Sequence, residues 1–237
     1  MPNAIVITID GPSGTGKGTI CCRLAYLMKW NFLDSGALYR VLAIAAKENQ
    51  VRNEDELELI KLIDNLDVEF KMRNSKGETE VLFNGEIVTN EIRTEACGKA
   101  ASVIAPIFGV RKALLTRQRA FCQKPGLIAD GRDMGTVVFP NAELKIFLTA
   151  SIDERTKRRF KQLKDSGNSV NLRRLRREIE ERDERDSERK ISPLKPADDA
   201  VIINTTDINV EGVIKEISKL VINKIPNLSK QVVEYLR

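Results

Sequence analysis

Apolar positions in this chain alternate between compact runs and longer stretches with helical spacing. The compact runs predict strands at 4–9, 126–130, 144–149 and 200–204, with a short one at 31–33. Three-to-four-residue spacing predicts helices at 17–29, 36–48, 107–123, 152–165, 171–190 and 210–223. Strand and helix alternate, so the expected fold is α/β: a three-layer, doubly wound, parallel five-stranded sheet with helices on both faces. Residues 66–94 break that rhythm. Val68-Glu69-Phe70-Lys71-Met72 alternates, Asn74-Ser75-Lys76-Gly77 reads as a turn, and Val81-Leu82-Phe83 with Asn84-Gly85 gives a second strand and a hairpin signal. This is a small antiparallel insertion. From Pro226 onward the chain reads as a loosely attached tail.

The first apolar run, Ala4-Ile5-Val6-Ile7-Thr8-Ile9, leads through Asp10 into Gly11-Pro12-Ser13-Gly14-Thr15-Gly16-Lys17-Gly18-Thr19. A strand, a glycine-rich turn and a lysine that opens a helix form the layout of a phosphate-binding loop. The glycines let successive backbone N–H groups turn around an anion, and the helix N-terminus adds partial positive charge. Lys17 can then reach the β- and γ-phosphates of a nucleotide. Gly18 stands where a Ser or Thr hydroxyl usually binds Mg²⁺, and the hydroxyl comes one residue later at Thr19. That shift points to a metal held largely through water.

Composition narrows the chemistry. The chain has 237 residues, 42% hydrophobic and 31% charged, enough for a full core in one domain with insertions. It holds no histidine, which excludes catalytic triads, histidine metal sites and histidine general bases. Phosphoryl transfer remains open, because it relies mainly on positioning and charge. The four cysteines, Cys21, Cys22, Cys97 and Cys122, lack metal-ligand or redox spacing, so reduced thiols and a cytoplasmic location are expected. No apolar stretch is long enough to span a membrane. The net charge of +5 belongs to one segment, since Arg155–Lys190 carries 14 Lys/Arg against 8 Asp/Glu. Phe160 is its only aromatic residue, which fits small phosphate ligands better than a nucleic acid.

Three further motifs stand out. Asp34-Ser35-Gly36-Ala37-Leu38-Tyr39-Arg40 follows the short second strand. In Gly126-Leu127-Ile128-Ala129-Asp130-Gly131-Arg132-Asp133-Met134-Gly135, apolar residues run into Asp130 at a strand's carboxyl end, where open α/β sheets place their ligands. Asp130 there orients water on Mg²⁺ or caps the following turn. In Glu181–Arg189, positions 182, 185, 186 and 189 share one helical face. That face is either a phosphate-binding surface or a solvated one with ion pairs such as Arg182–Asp186. Arg155, Arg158 and Arg159 carry the same two alternatives.

Together these segments resemble the P-loop nucleoside monophosphate kinases, and within them the bacterial-type cytidylate kinases, over roughly residues 3–225. The block from Asp130 to Pro140 is the discriminating one; Gly18 after the lysine is usual in that family. The resemblance implies a single kinase domain over 1–225: a core of 1–36, 125–152 and 190–225, a monophosphate-binding region at 37–124 and a short lid at about 153–189. It implies ATP and Mg²⁺ at Gly11 to Thr19, with Arg158 added from the lid and Asp130 on the metal through water. It also implies Ser35, Arg40, Arg132, Arg182 and Arg189 around the phosphate and sugar of CMP or dCMP, with Asp186 on the ribose. Ser102, Arg111 and Asp133 would contact the base. Lys17, Arg132, Arg182 and Arg189 would be catalytic.

A monomer is expected, with small-molecule substrates and no nucleic-acid or membrane partner. Two rivals stay open. One is a kinase for another acceptor, such as UMP or AMP. The other is a nucleotide switch or nucleic-acid-binding module using the basic segment, which would bind RNA or DNA in a salt-sensitive way.

Overall fold

The computed structural model describes residues 4–74, 77–165, 170–225, 228, 233 and 234. Five parallel strands form one sheet: β1 (Ile5–Asp10), β2 (Asn31–Asp34), β6 (Gly126–Gly131), β7 (Leu144–Thr149) and β8 (Val201–Asn204). Their order is β2-β6-β1-β7-β8. All five lie where the apolar runs put them. Strands β1 and β6 are buried almost throughout, as a sheet flanked by helices requires.

The chain divides into two compact units, Met1–Val6 with Cys21–Asp130 and Ile7–Ile20 with Gly131–Arg237. In the first unit, β2 pairs with β6 so that Asp34 stands opposite Asp130. This unit also holds α1 (Lys17–Met28) from Cys21 onward, α2 (Ser35–Glu48), α3 (Glu56–Asp64), α4 (Thr89–Ile92), α5 (Glu95–Ile104) and α6 (Phe108–Ala120). Its helical core gathers Val41, Leu42, Leu59, Ile63, Ile104, Val110 and Leu114.

The antiparallel insertion is a three-stranded sheet, β3 (Val68–Met72), β4 (Thr79–Phe83) and β5 (Glu86–Ile87). Asn84 and Gly85, between β4 and β5, both take positive φ (50° and 82°), as a two-residue hairpin turn demands. Ser75 and Lys76 of the expected first turn lie outside the described residues, as does most of the expected tail.

Helices α3 and α5 were not expected from the spacing. Each carries an N-cap that the sequence displays: Asp55 accepts from the Glu58 N–H and Thr94 from the Cys97 N–H. These caps were the legible signal.

In the second unit, β1 pairs with β7 and β7 with β8. Helices α7 (Ile152–Asp165), α8 (Leu172–Ser187) and α9 (Val210–Lys224) complete it. Leu163, Leu175 and Ile179 close α7 on α8, packed by Ile152, Phe160 and Val170. Helix α8 stops earlier than its expected end at 190. Glu188 leaves helical geometry, and the Leu194 N–H donates to the Asp186 carbonyl at 2.8 Å, turning the chain back. Arg189 therefore sits beyond the helix, not on its face.

The chain leaves β1 through Gly11, whose φ is +143°. A Cβ there would lie 2.1 Å from the Leu148 carbonyl oxygen of β7. No L side chain fits both the angle and that approach. Gly11→Ala should therefore cost about 3 kcal/mol or more of stability, through strain and backbone clash together. Urea unfolding of the two proteins checks this.

Candidate functional site

Within the second unit the loop from Gly11 to Gly16 folds on itself before α1 begins at Lys17. The Thr15 hydroxyl donates to the Pro12 carbonyl at 3.2 Å, and Lys17 Nζ donates to the same carbonyl at 2.8 Å. Lys17 is buried, so its charge acts beside the loop with little water to screen it. Gly18 and Thr19 are exposed at the start of the helix, where backbone N–H groups have no intrahelical partners. The arrangement can hold a phosphate chain by backbone amides and one ammonium group.

Asp10, the last residue of β1, carries a role that sequence reading missed. Its carboxylate is buried and accepts from the Met134 N–H at 2.9 Å and the Gly135 N–H at 2.8 Å. Those amides open a π-helical segment, Met134–Val138, with Asp133 just before it. The Asp133 carbonyl accepts from both Val137 and Val138 N–H groups. Asp10 thus fixes the backbone that presents Asp133, itself only 5% exposed. Burial pushes the Asp10 carboxyl up to about 6, against the two amides and Lys17, which favour its charged form.

Arg132, Asp186 and Arg189 come together as a charged cluster. Asp186 is 1% exposed; Arg132 Nε donates to one of its oxygens at 3.0 Å and Arg189 Nη2 to the other. Burial alone would push the Asp186 carboxyl up, but Arg132, Arg189 and Arg182 together outweigh it and hold it below the usual range. Asp186 is therefore not part of a solvated face: it is buried, and its carboxylate pairs with Arg132 and Arg189. Arg185, on the same spacing, lies outside the cluster and donates to the Glu181 carbonyl.

Arg155 is buried too, so the solvated reading fails for it. Arg158 is partly buried; Nη1 donates to the Thr15 carbonyl at 3.2 Å and to the Thr205 hydroxyl at 3.0 Å, while Nε reaches Glu154. Arg159 donates to Gln162 on its own helix.

The first unit positions Ser35, Arg40, Ser102, Arg111 and Asp130. Asp34 caps α2 by accepting from the Ala37 N–H at 2.9 Å, which sets Ser35 at the helix start. Ser35 is buried, and its hydroxyl accepts from Gln118 Nε2 at 2.8 Å. Gln118, on α6, offered no signal in the sequence. The Arg40 guanidinium donates to the carbonyls of Ile92 and Thr94, which ties α2 to the chain around α4. Ser102 and Arg111 are partly buried, not exposed helical residues; Arg111 donates to the Ala105 carbonyl at 3.1 Å and stands 6.0 Å from the Tyr39 ring centre. Asp130 is the penultimate residue of β6 and is buried.

The four cysteines are free thiols; burial pushes Cys22 and Cys97 up, which keeps them protonated and unreactive. No helix among the described residues is long and apolar enough to cross a membrane.

A parallel sheet whose β1 opens through a glycine-rich loop into a helix headed by lysine defines the P-loop class of nucleotide-binding proteins. A profile described as cytidylate kinase matches residues 7–223. A cytidylate kinase of Shewanella frigidimarina (strain NCIMB 400) is 54% identical over 220 residues, covering 93% of this chain and 96% of that protein. One from Pasteurella multocida (strain Pm70) is 52% identical over 216 residues, covering 91% and 94%. The chain belongs to the cytidylate kinase family.

The Asp10 carboxyl gives a stability test. Its ordinary value is 3.8 and its folded value about 6, so between these pH values the folded state binds the extra proton. Stability therefore falls as pH rises through that window, by on the order of 3 kcal/mol from this group. Asp10→Asn removes the contribution. Urea unfolding at pH 4, 5, 6 and 7 should show the variant gaining on the wild type across the window and no further above it.

Proposed function

We propose that the chain transfers the γ-phosphoryl group of ATP to the phosphate of CMP or dCMP, giving ADP and the cytidine diphosphate. The observation that carries this reading is the buried carboxylate of Asp133, fixed through its backbone by Asp10. Cytosine presents an amino donor at N4, and a carboxylate accepts from it. Uracil presents an oxygen there, which would set acceptor against acceptor at that carboxylate. Family membership supports the same acceptor.

An oxygen of the CMP phosphate attacks the γ-phosphorus in line, and the bond to the β–γ bridging oxygen breaks as ADP leaves. The attacking oxygen is already anionic at neutral pH, so no general base is needed. That suits a chain without histidine. Lys17 and the loop amides from Gly11 to Thr19 hold the donor phosphates. Arg158 serves the donor by holding the Thr15 carbonyl. Arg132, Arg182 and Arg189 neutralise charge on the transferring group. Arg40 and Ser35 are assigned to the acceptor phosphate by the family resemblance. Asp186 holds Arg132 and Arg189 in place and contacts the ribose; Asp133 serves the base, and the family resemblance assigns Ser102 and Arg111 to the base as well.

ATP enters as its magnesium complex. Among the described residues no group of three or more acidic or cysteine side chains could hold a metal alone, and Gly18 offers no hydroxyl. Phosphate oxygens and water suit Mg²⁺ in such a setting, with the buried Asp130 carboxylate ordering that water. When bound, the ion screens charge on the β- and γ-phosphates. The stretch 153–189 acts as the lid that excludes water, and 37–124 as the monophosphate-binding region.

Coupled ADP release with CMP, dCMP, UMP and AMP in parallel tests the reading. Turnover should be fast with the cytosine nucleotides and poor with the others; ATP binding without any cytidine diphosphate formed would overturn it. Lys17→Met should lower kcat by about a hundredfold or more, as loss of a transition-state donor does. Asp133→Asn should raise the KM for CMP by about tenfold or more while leaving that for ATP in place, and should narrow the preference for CMP over UMP.

A further inference from the structure

In a planar trans peptide, N–H and C=O point in opposite directions. A loop that turns its amides toward an anion must therefore turn its carbonyls away from it, and those carbonyls need donors of their own. In this chain they find them on α7 and after β8. The Thr15 carbonyl takes Arg158 and the Thr205 hydroxyl, each at 3.2 Å. The Ser13 carbonyl takes Arg155 Nη1 at 3.1 Å.

Arg155 is placed differently from Arg158. Its Nη1 also lies 2.5 Å from Asp183 Oδ2 on α8, and its Nε donates to the Ala150 carbonyl at 3.1 Å. One planar guanidinium thus touches the loop, the end of β7 and the helix that bears Arg182 and Asp186. The approach is close: a Cβ on Gly14 would lie 3.0 Å from the Arg155 Cβ and 3.2 Å from its carbonyl oxygen. The other Asp183 oxygen is buried without a hydrogen-bond partner among the described residues. A pair satisfied on one side only is a poor source of stability. Its geometry favours a positioning role.

We propose that Arg155, held by Asp183, is a positioning residue: it sets the peptide orientation of the phosphate loop and ties that loop to the helix carrying Arg182 and Asp186. The proposal rests on the kinase reading above. It makes the grip on ATP depend on α8, a helix assigned to the acceptor. A charged donor on the Ser13 carbonyl is worth more than a neutral one, so its loss loosens the amides that face the phosphates.

The test is steady-state kinetics of full-length Arg155→Met, Asp183→Asn and the double variant, with ATP and CMP varied separately. Arg155→Met should raise the KM for ATP about tenfold, the scale of one charge-assisted hydrogen bond. Asp183→Asn should raise it about threefold although the substitution lies on α8. The double variant should be no worse than Arg155→Met alone, because both changes break one connection. Arg155→Lys keeps the charge but loses the fork, and should fall between wild type and Arg155→Met. It also serves if the methionine variant does not fold.

Additive effects in the double variant would overturn the proposal, as would lowered melting temperatures with an unchanged KM for ATP. If the wild type fails to phosphorylate CMP, the kinase reading falls instead. Calorimetric titration of ATP into the same variants then still reads the loop, by the same pattern of affinities.

Discussion

The phosphate loop works only if its backbone is held in one orientation, and five side chains of the second unit, with one glycine, are arranged to do that. Gly11 lets the chain pass the Leu148 carbonyl at a distance no side chain tolerates. Thr15 and Lys17 close the loop internally on the Pro12 carbonyl. Arg155, Arg158 and Thr205 take the carbonyls of Ser13 and Thr15. Amides fixed in this way need little reorganisation when phosphate arrives, which is the condition for strong electrostatic binding.

The second organising element is charge held in low dielectric. Asp186 stays ionised because Arg132, Arg189 and Arg182 outweigh the cost of its burial. In return it fixes two guanidinium groups at 3.0 Å or closer. Asp10 shows the opposite balance: burial wins and pushes its carboxyl up, although two amides and Lys17 favour the charged form. The difference lies in the partners. Guanidinium groups in direct contact bring full positive charge to Asp186, whereas Asp10 meets mainly neutral dipoles. Both carboxylates act through what they hold, one through arginine side chains and the other through the backbone before and within the π-helical segment.

Much of this was legible beforehand because it is written in local spacing. The five strands, the loop and the helix headed by Lys17 follow from apolar runs, glycine placement and period. The Asn84-Gly85 turn followed from residue types that tolerate positive φ. Helices α3 and α5 were missed although Asp55 and Thr94 announce them, because each is short, nine and ten residues, and offers few turns over which a period can be read. The end of α8 was placed too late, since Arg189 continues the helical pattern while the Leu194–Asp186 bond turns the chain away.

The sequence by itself determined the class of fold, the phosphate loop and a chemistry without histidine, since these depend on residue type and near neighbours along the chain. Tertiary structure alone decided which charges meet. Asp10 reaches Met134 and Gly135 across more than a hundred residues, Gln118 reaches Ser35, and Arg155 joins Ser13 to Asp183. The reason is physical: an arginine or a carboxylate is hydrated and ambiguous until folding removes its water and leaves it one set of partners.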